Sequence, residues 1–309
     1  MALCLASSLV SRGGFCPYDQ LVRYKWWYQY GYLSSIGECF DIGTATRESI
    51  EQFQRRQENF AKKHHFKLAD MDYTSDKRIL AKFDVDCSQN NVAGNGALMR
   101  LAPVPLFFFQ RPDLAISYSG ISGKITHGDR KAIDACRYYG ALIVAALNGE
   151  TREQILDVNF YSKHKPWFGK ETLCKSIKDI AEGSYRKKNG YEGGIRGKGY
   201  IVFTLEAALW ALNNDEGSFE KGVLDVISLG DDTDTTAAIY GQLAGALYGY
   251  SKLPEKWTKR VYAKDFIENL VRWIDYESSI WNSSKEIYQI QYLERPSMIN
   301  SSTCKNFLN

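Results

Sequence analysis

Arg130-Lys131-Ala132-Ile133-Asp134-Ala135-Cys136-Arg137-Tyr138-Tyr139-Gly140-Ala141-Leu142-Ile143-Val144-Ala145-Ala146-Leu147 is the stretch on which the fold class turns. Ala132, Cys136, Tyr139, Ile143 and Leu147 recur at intervals of three or four residues, with Ala135, Leu142 and Ala146 beside them on the stripe. That is the period of a buried α-helix. Outward from it, similar patterns occupy residues 1–11, 18–30, 45–61, 96–109, 203–213, 219–228, 234–250 and 263–275, and convincing runs of alternating Val, Ile and Thr are absent. The class is all-α. Turn chemistry falls between these segments, at Gly13-Gly14, Gly120 to Gly128, Gly190 to Gly199 and Asn213 to Gly217, with no repeat period. No interdomain linker is visible, so residues 1–282 read as one domain. After Trp281 the chain turns polar and rich in Ser and Asn, and 283–309 reads as a loosely attached tail.

At 309 residues and 44% hydrophobic, the chain can bury a large core. Lys and Arg number 39 against 36 Asp and Glu, a net charge of +3, which falls short of the concentrated positive field of a nucleic-acid groove. Basic and aromatic residues interleave over Arg23-Tyr24-Lys25-Trp26-Trp27-Tyr28-Gln29-Tyr30, but helical spacing puts Tyr24, Trp27 and Tyr28 on one face as core anchors rather than on a stacking platform. Seven scattered cysteines, none in a C-x-x-C pair, suggest neither a disulfide framework nor a zinc knuckle and fit a reducing, cytoplasmic setting. Met1 to Val10 is apolar, yet no positive residue precedes it, and no run reaches the roughly 18 apolar residues of a membrane span.

Gly230-Asp231-Asp232-Thr233-Asp234-Thr235 packs three carboxylates and two hydroxyls in front of an apolar helix. Two readings compete. The side chains can cap the helix and complement its dipole, or they can hold Mg²⁺, which selects hard oxygen donors and would relieve the repulsion among the acids. In the helix that follows, Gly241, Gly245 and Gly249 recur every four residues, a spacing that predicts a smooth groove against another helix. Gly94-Asn95-Gly96 is equally two-sided: a turn before a helix, or an anion-binding loop whose amides approach a phosphate. Gly193 to Gly199 lacks the Ser or Thr after Lys198 and the preceding strand that a nucleotide loop requires, and reads as a loop bordering a pocket.

Taken together, Gly230-Asp231-Asp232-Thr233-Asp234-Thr235-Thr236-Ala237-Ala238-Ile239-Tyr240-Gly241 resembles the carboxy-terminal metal motif of the ADP-ribosylglycohydrolases, the family of the dinitrogenase-reductase-activating glycohydrolases. Cys39-Phe40-Asp41-Ile42-Gly43-Thr44, Ala93-Gly94-Asn95-Gly96-Ala97-Leu98-Met99-Arg100, and Gly199-Tyr200 leading to Thr204-Leu205-Glu206-Ala207-Ala208-Leu209-Trp210 fall in the family's order, so the resemblance covers residues 1 to about 275. It implies a compact, orthogonal all-α bundle with a binuclear Mg²⁺ centre that releases ADP-ribose from a modified protein side chain or a related acceptor. It also implies Asp232, Asp234 and Thr235 as metal ligands, with Gly94, Asn95, Gly96, His127, Gly199 and Tyr200 on the substrate. Asp41 matches a ribose-side aspartate, and Asp41 and Asp234 are the carboxylates that would take a proton from water. The residues alone leave other readings open: Thr126 or Asp129 capping the helix beside His127, Asp41 forming a turn on its own backbone, and Tyr200 simply packed.

Members of the family carry a Thr-Asp-Asp-Thr motif immediately before the segment that matches Met1 to Ala6, and a further acidic stretch upstream. Neither stands in this sequence. Three ligands cannot hold two Mg²⁺ ions in near-octahedral shells without many waters, so weak metal binding and impaired activity are expected of this chain by itself. The competing expectations are an ADP-ribose-binding module without turnover, and a structural, crystallin-like member with no nucleotide affinity.

Overall fold

The computed structural model describes residues 1–187 and 189–282; the segment 283–309, read above as a tail, lies outside them. Its principal helices are α1 (Ala2–Arg12), α2 (Pro17–Tyr30), α3 (Thr44–His64), α4 (Pro103–Phe108), α5 (Pro112–Lys124), α6 (Arg130–Leu147), α7 (Ile201–Asn214), α8 (Phe219–Ser228), α9 (Thr233–Tyr248) and α10 (Lys264–Ser279), joined by loops and short helical turns. Among the described residues, β pairing is limited to one isolated antiparallel bridge, Gly94 with Tyr200. The fold is all-α, and among the described residues no helix is long and apolar enough to cross a membrane.

α6 is the stretch quoted at the outset, and it is buried along most of its length. It starts where the Asp129 carboxylate accepts the Lys131 amide at 2.8 Å, which relieves one of the unpartnered first-turn donors. Most of its apolar residues join α7, α8 and α9 in one core, while Val144 reaches a second core built from α1 to α5. α6 is therefore the partition on which both halves of the molecule rest. In α2, Tyr24 and Trp27 are buried as the spacing required, Arg23 pairs with Asp19 at 2.7 Å, and Lys25 pairs with Asp72.

Three local expectations fail for identifiable reasons. The helical pattern over 96–109 is two pieces, a single turn Gly96–Met99 and then α4. Pro103 has no N–H to offer the Met99 carbonyl, and its ring would clash there, so the first turn stops and Pro103 opens a new helix. The glycines from Gly120 to Gly128 are not all loop, because α5 runs through Gly120 and Gly123. A Cβ at Gly120 would fall 2.7 Å from Arg137 Cγ, one at Gly123 2.8 Å from Cys136 Sγ, and one at Gly140 2.5 Å from Ser119 Oγ. Glycine here lets α5 and α6 touch along their backbones, and that packing offsets a helix-propensity cost of about 1 kcal/mol per glycine.

The third concerns Gly241, Gly245 and Gly249, which do not form a close helix contact. Gly245 has nothing within 4 Å of a built Cβ, Gly241 has only the Phe219 ring at 3.6 Å, and Gly249 ends the helix at φ +78°. The tight approach lies on the other partner, at Gly222 of α8, where a Cβ would collide with the Tyr240 ring.

Candidate active site

The α9 start, the Gly94-Asn95-Gly96 turn and His127 come together. The key contact is between residues 137 apart in sequence: Asn95 Nδ2 donates to Asp232 Oδ2 at 2.7 Å and also to Thr204 Oγ1 at 3.1 Å. The Thr204 hydroxyl in turn donates to the Lys198 carbonyl at 2.6 Å. Backbone bonds set the frame, with Asn95 N donating to Gly199 O at 3.1 Å, Ile201 N to Ala93 O at 3.0 Å and Asp232 N to Gly197 O at 2.7 Å. Gly197 is required for that approach, since its Cβ would stand 2.9 Å from Thr236 Oγ1. The loop Gly193 to Gly199 thus borders the site.

Asp232 occupies the N-cap position of α9, yet its side chain accepts no capping hydrogen bond; it turns across to Asn95 instead. That removes the simple capping explanation for this carboxylate. Asp231, exposed at φ +60°, and Asp234, exposed in the first turn, do not crowd against it: among the described residues no three His, Cys, Asp or Glu side chains gather into a metal-binding group. Buried Thr235 offers its hydroxyl only to the thioether of Met99, at 3.5 Å, a poor acceptor that leaves its oxygen lone pairs unclaimed. Two carboxylates and such a hydroxyl are donors of the type a hard cation takes, with water completing the shell.

His127 is 2% exposed and lies under the turn: a Cβ on Gly94 would stand 3.2 Å from its Nε2, and one on Gly96 3.5 Å from its Cε1. Burial, then the nearby Arg100 charge, pulls its pKa down to about 3, so the ring is neutral at physiological pH. Its Nδ1 contacts Thr126 Oγ1 at 2.8 Å, and that hydroxyl accepts from the Arg100 guanidinium. The hydroxyl has one proton and two lone pairs, so it can serve Nδ1 in either tautomer of the neutral ring, while Nε2 faces the glycine turn. Thr126 caps nothing; Asp129 caps α6. Arg100, buried and also bonded to the Gly96 carbonyl at 3.0 Å, is a site-building residue that the sequence reading passed over, although it closes the Ala93 to Arg100 motif.

This burial has a stability consequence. A histidine whose folded pKa lies below its unfolded value near 6.5 contributes nothing adverse above that pH. As pH falls from 6.5 toward 3, the unfolded chain takes up a proton that the folded one refuses, and about 1.4 kcal/mol is lost per pH unit. Thermal unfolding followed between pH 7 and pH 4 should show this slope, and His127→Gln should flatten it.

Tyr200 is half-buried at the start of α7, paired through its backbone to Gly94, with its ring edge-on to Phe203 at 5.2 Å. The Lys131 ammonium sits beside Asp129 and then Tyr200, which raise its pKa and keep a positive charge near the turn. Asp41 is exposed at φ +44° in the loop before α3, and its carboxylate makes no hydrogen bond or ion pair among the described residues. It is not drawn against Asp232, but its loop leads into α3, whose Thr46 hydroxyl would meet a Cβ on Gly96 at 3.4 Å.

A cavity of about 530 Å³ opens alongside, between Glu48, Ser49 and Gln52 of α3 and Ser88, Gln89 and Val92. Its walls are the site's own scaffold: Ser49 Oγ donates to the Thr126 carbonyl at 3.1 Å, Gly128 N to Ser88 Oγ at 3.0 Å, and Asp129 N to Val92 O at 3.1 Å. Clefts of this size hold nucleotide-sized ligands. No motif announced it, because it forms between segments that are distant in sequence.

A glycine turn, a neutral buried imidazole and a carboxylate at a helix start thus meet in one place. The family model for ADP-ribosylglycohydrolase matches residues 1–284, and the chain belongs to this family. The ADP-ribosylarginine hydrolase Tri1 of Serratia proteamaculans (strain 568) is 32% identical over 279 residues, covering 89% of this chain and 65% of that protein. Its counterpart in Pseudomonas putida (strain GB-1) is 35% identical over 284 residues, covering 88% of this chain and 63% of that one. The chain thus spans slightly less than two thirds of the length of either relative. A solved ADP-ribosylglycohydrolase-related protein complex matches with a TM-score of 0.66 and 32% identity, over 90% of this chain and 79% of that one.

Proposed function

We propose that this chain acts as an ADP-ribosyl hydrolase that frees ADP-ribose from a modified side chain, with arginine as the acceptor. The observation that supports the reading is the direct bond from Asn95 of the glycine turn to Asp232 at the start of α9, which joins two motifs that are distant in sequence. The Tri1 relatives support the choice of arginine. The diphosphate would lie against the glycine turn at the amides of Gly94 and Gly96, since the Asn95 amide is already given to Gly199 O, with His127 Nε2 beneath the turn and Lys131 nearby, and the cavity beside α3 would take the nucleoside.

Asp232, Asp234 and Thr235 would hold Mg²⁺, which when bound supplies Lewis acidity toward ribose hydroxyls and a water. Asn95 orients the Asp232 carboxylate, a task normally given to groups one layer behind a metal ligand. Asp234, exposed in the first turn of α9, would take a proton from water, with Asp41 on the loop before α3 as the other candidate. Hydrolysis transfers ADP-ribose to water and the proton to the departing guanidine. The test is incubation of ADP-ribosylarginine with the protein at graded Mg²⁺, with free ADP-ribose measured by chromatography. Substrate that survives at saturating Mg²⁺ while calorimetry still records ADP-ribose binding would replace hydrolysis by recognition alone.

Asn95→Ala provides a second check. It removes the amide that donates to Asp232 Oδ2 at 2.7 Å and orients that carboxylate, and metal affinity should fall about 10–100-fold, the range for outer-layer partners. Titration with Mn²⁺ reads this without reference to turnover.

A further inference from the structure

Four cationic side chains are buried among the described residues: Arg23, Lys25, Arg100 and Arg137. Three of them face a carboxylate, Arg23 that of Asp19 at 2.7 Å, Lys25 that of Asp72, and Arg137 that of Asp134 at 3.1 Å. Arg100 is the deepest of the four, at 1% exposure, and it makes no ion pair among the described residues. Its guanidinium donates only to neutral oxygens: the Tyr24 hydroxyl at 3.2 Å, the Gly96 carbonyl at 3.0 Å, the Ser122 carbonyl at 3.2 Å and the Thr126 hydroxyl. Tyr24, Cys136 and His127, which feel its charge, are themselves uncharged at neutral pH, since burial raises the Tyr24 hydroxyl, holds the Cys136 thiol up at about 12 and pulls His127 down to about 3. Hydrogen bonds make such a group tolerable out of water, but without an opposite charge its desolvation is not fully offset.

This unpaired charge lies directly behind the glycine turn. Its bond to the Gly96 carbonyl fixes the Gly96–Ala97 peptide, a trans unit whose N–H points the other way, and a positive charge behind the carbonyl makes that N–H a stronger donor. Through Thr126 the same guanidinium holds His127, the ring beneath Gly94 and Gly96. Building on the placement of the diphosphate at this turn, we propose that the diphosphate is the counter-charge Arg100 lacks. Arg100 is then a positioning residue that attracts a pyrophosphate-bearing ligand through the turn without touching it. A carboxylate beside it, as at Arg23 or Arg137, would cancel the charge inside the protein; left open, the charge acts on a ligand. At an effective dielectric of about 20, a unit charge within several ångströms of an anion changes its affinity about 10-fold or more.

Calorimetry on the full chain, with inorganic pyrophosphate and with ADP-ribose, tests this. Arg100→Gln, which keeps an amide donor but no charge, should weaken both ligands about 10-fold or more, whereas Arg100→Lys, which keeps the charge but not the planar fork, should retain most of the affinity. Ser122→Asp supplies the counter-charge from within. The Ser122 carbonyl already accepts from Arg100, its hydroxyl donates to Gln20 Oε1 at 2.9 Å, and the buried Gln20 Nε2 has no partner, so a carboxylate at 122 would face a guanidinium and an amide donor. This variant should bind pyrophosphate about 10-fold or more weakly with helicity retained, and it decides the matter if Arg100→Gln does not fold. A merely structural arginine gives the reverse: Arg100→Lys fails as badly as Arg100→Gln, or Ser122→Asp binds as the parent does, and either result overturns the proposal. A parent chain that binds neither ligand overturns the diphosphate placement as well, whereas a parent that binds, with Arg100→Gln and Ser122→Asp binding equally tightly, overturns this role of Arg100 alone.

Discussion

Asp232→Asn should lower ADP-ribose release from ADP-ribosylarginine by about 100-fold or more in kcat/KM, while the folded state changes little. The substitution preserves shape and can still accept from Asn95, so the 2.7 Å contact can persist. What it removes is one of the carboxylate charges near Thr235, which on the proposed reading attract a divalent ion. Asp232 is half-exposed and does not cap α9 through its side chain, so thermal unfolding should shift by only a few degrees. Steady-state kinetics at several Mg²⁺ concentrations make the test discriminating. A variant whose full rate returns at higher Mg²⁺ has lost affinity for the ion, one whose rate stays low at saturation has lost catalysis, and one that behaves as the parent would remove Asp232 from the mechanism.

The largest effect on stability is expected far from the ligand, at Gly222→Ala. A Cβ there would enter the space of the Tyr240 hydroxyl and ring, and Tyr240 is 1% exposed with no room to retreat. Its hydroxyl donates to Asp215 Oδ2 at 2.9 Å, the Tyr248 hydroxyl shares that acceptor at 2.7 Å, and Arg152 Nε pairs with the other carboxylate oxygen at 3.1 Å. Asp215 is fully buried, so displacing Tyr240 disturbs the partners on which a buried charge depends. Overpacking with partial loss of these bonds should cost about 3 kcal/mol or more, a fall of roughly 5–10 °C in Tm for a domain of this size. Because α8 leads through Gly230 into Asp232, the strain is delivered toward the site, and activity at 37 °C should decline with stability. Calorimetry on the variant, beside Gly245→Ala as a control with open space around the new methyl, separates a steric cause from a helix-propensity one.

Much of the fold was legible in the sequence because buried helices advertise their period. The stripe from Ala132 to Leu147 predicted α6 to within a few residues at each end, and 219–228 was read as observed. Failures came where one residue type serves opposite purposes. Gly120 and Gly123 look like turn punctuation, but here they are the flat side of a helix pressed against Arg137 and Cys136. In Gly241, Gly245 and Gly249 the same residue suggested close packing where there is none.

At the site, the local motifs could be read directly: the acids from Asp231 to Asp234, and the glycines flanking Asn95. The pairing of Asn95 with Asp232, the relay from Arg100 through Thr126 to His127, and the cavity against α3 could not, because each joins residues whose neighbourhood exists only after folding.

The span between Asn95 and Asp232 also bears on how the protein matures. During synthesis the glycine turn and His127 leave the ribosome long before the start of α9 does, and over that interval the Asn95 amide has no carboxylate to hold. Its partner arrives together with α8 and α9, the last helices to complete the core around α6. Any pause or cleavage before residue 232 therefore yields a chain in which Asn95 lacks its Asp232 partner and the core around α6 lacks α9.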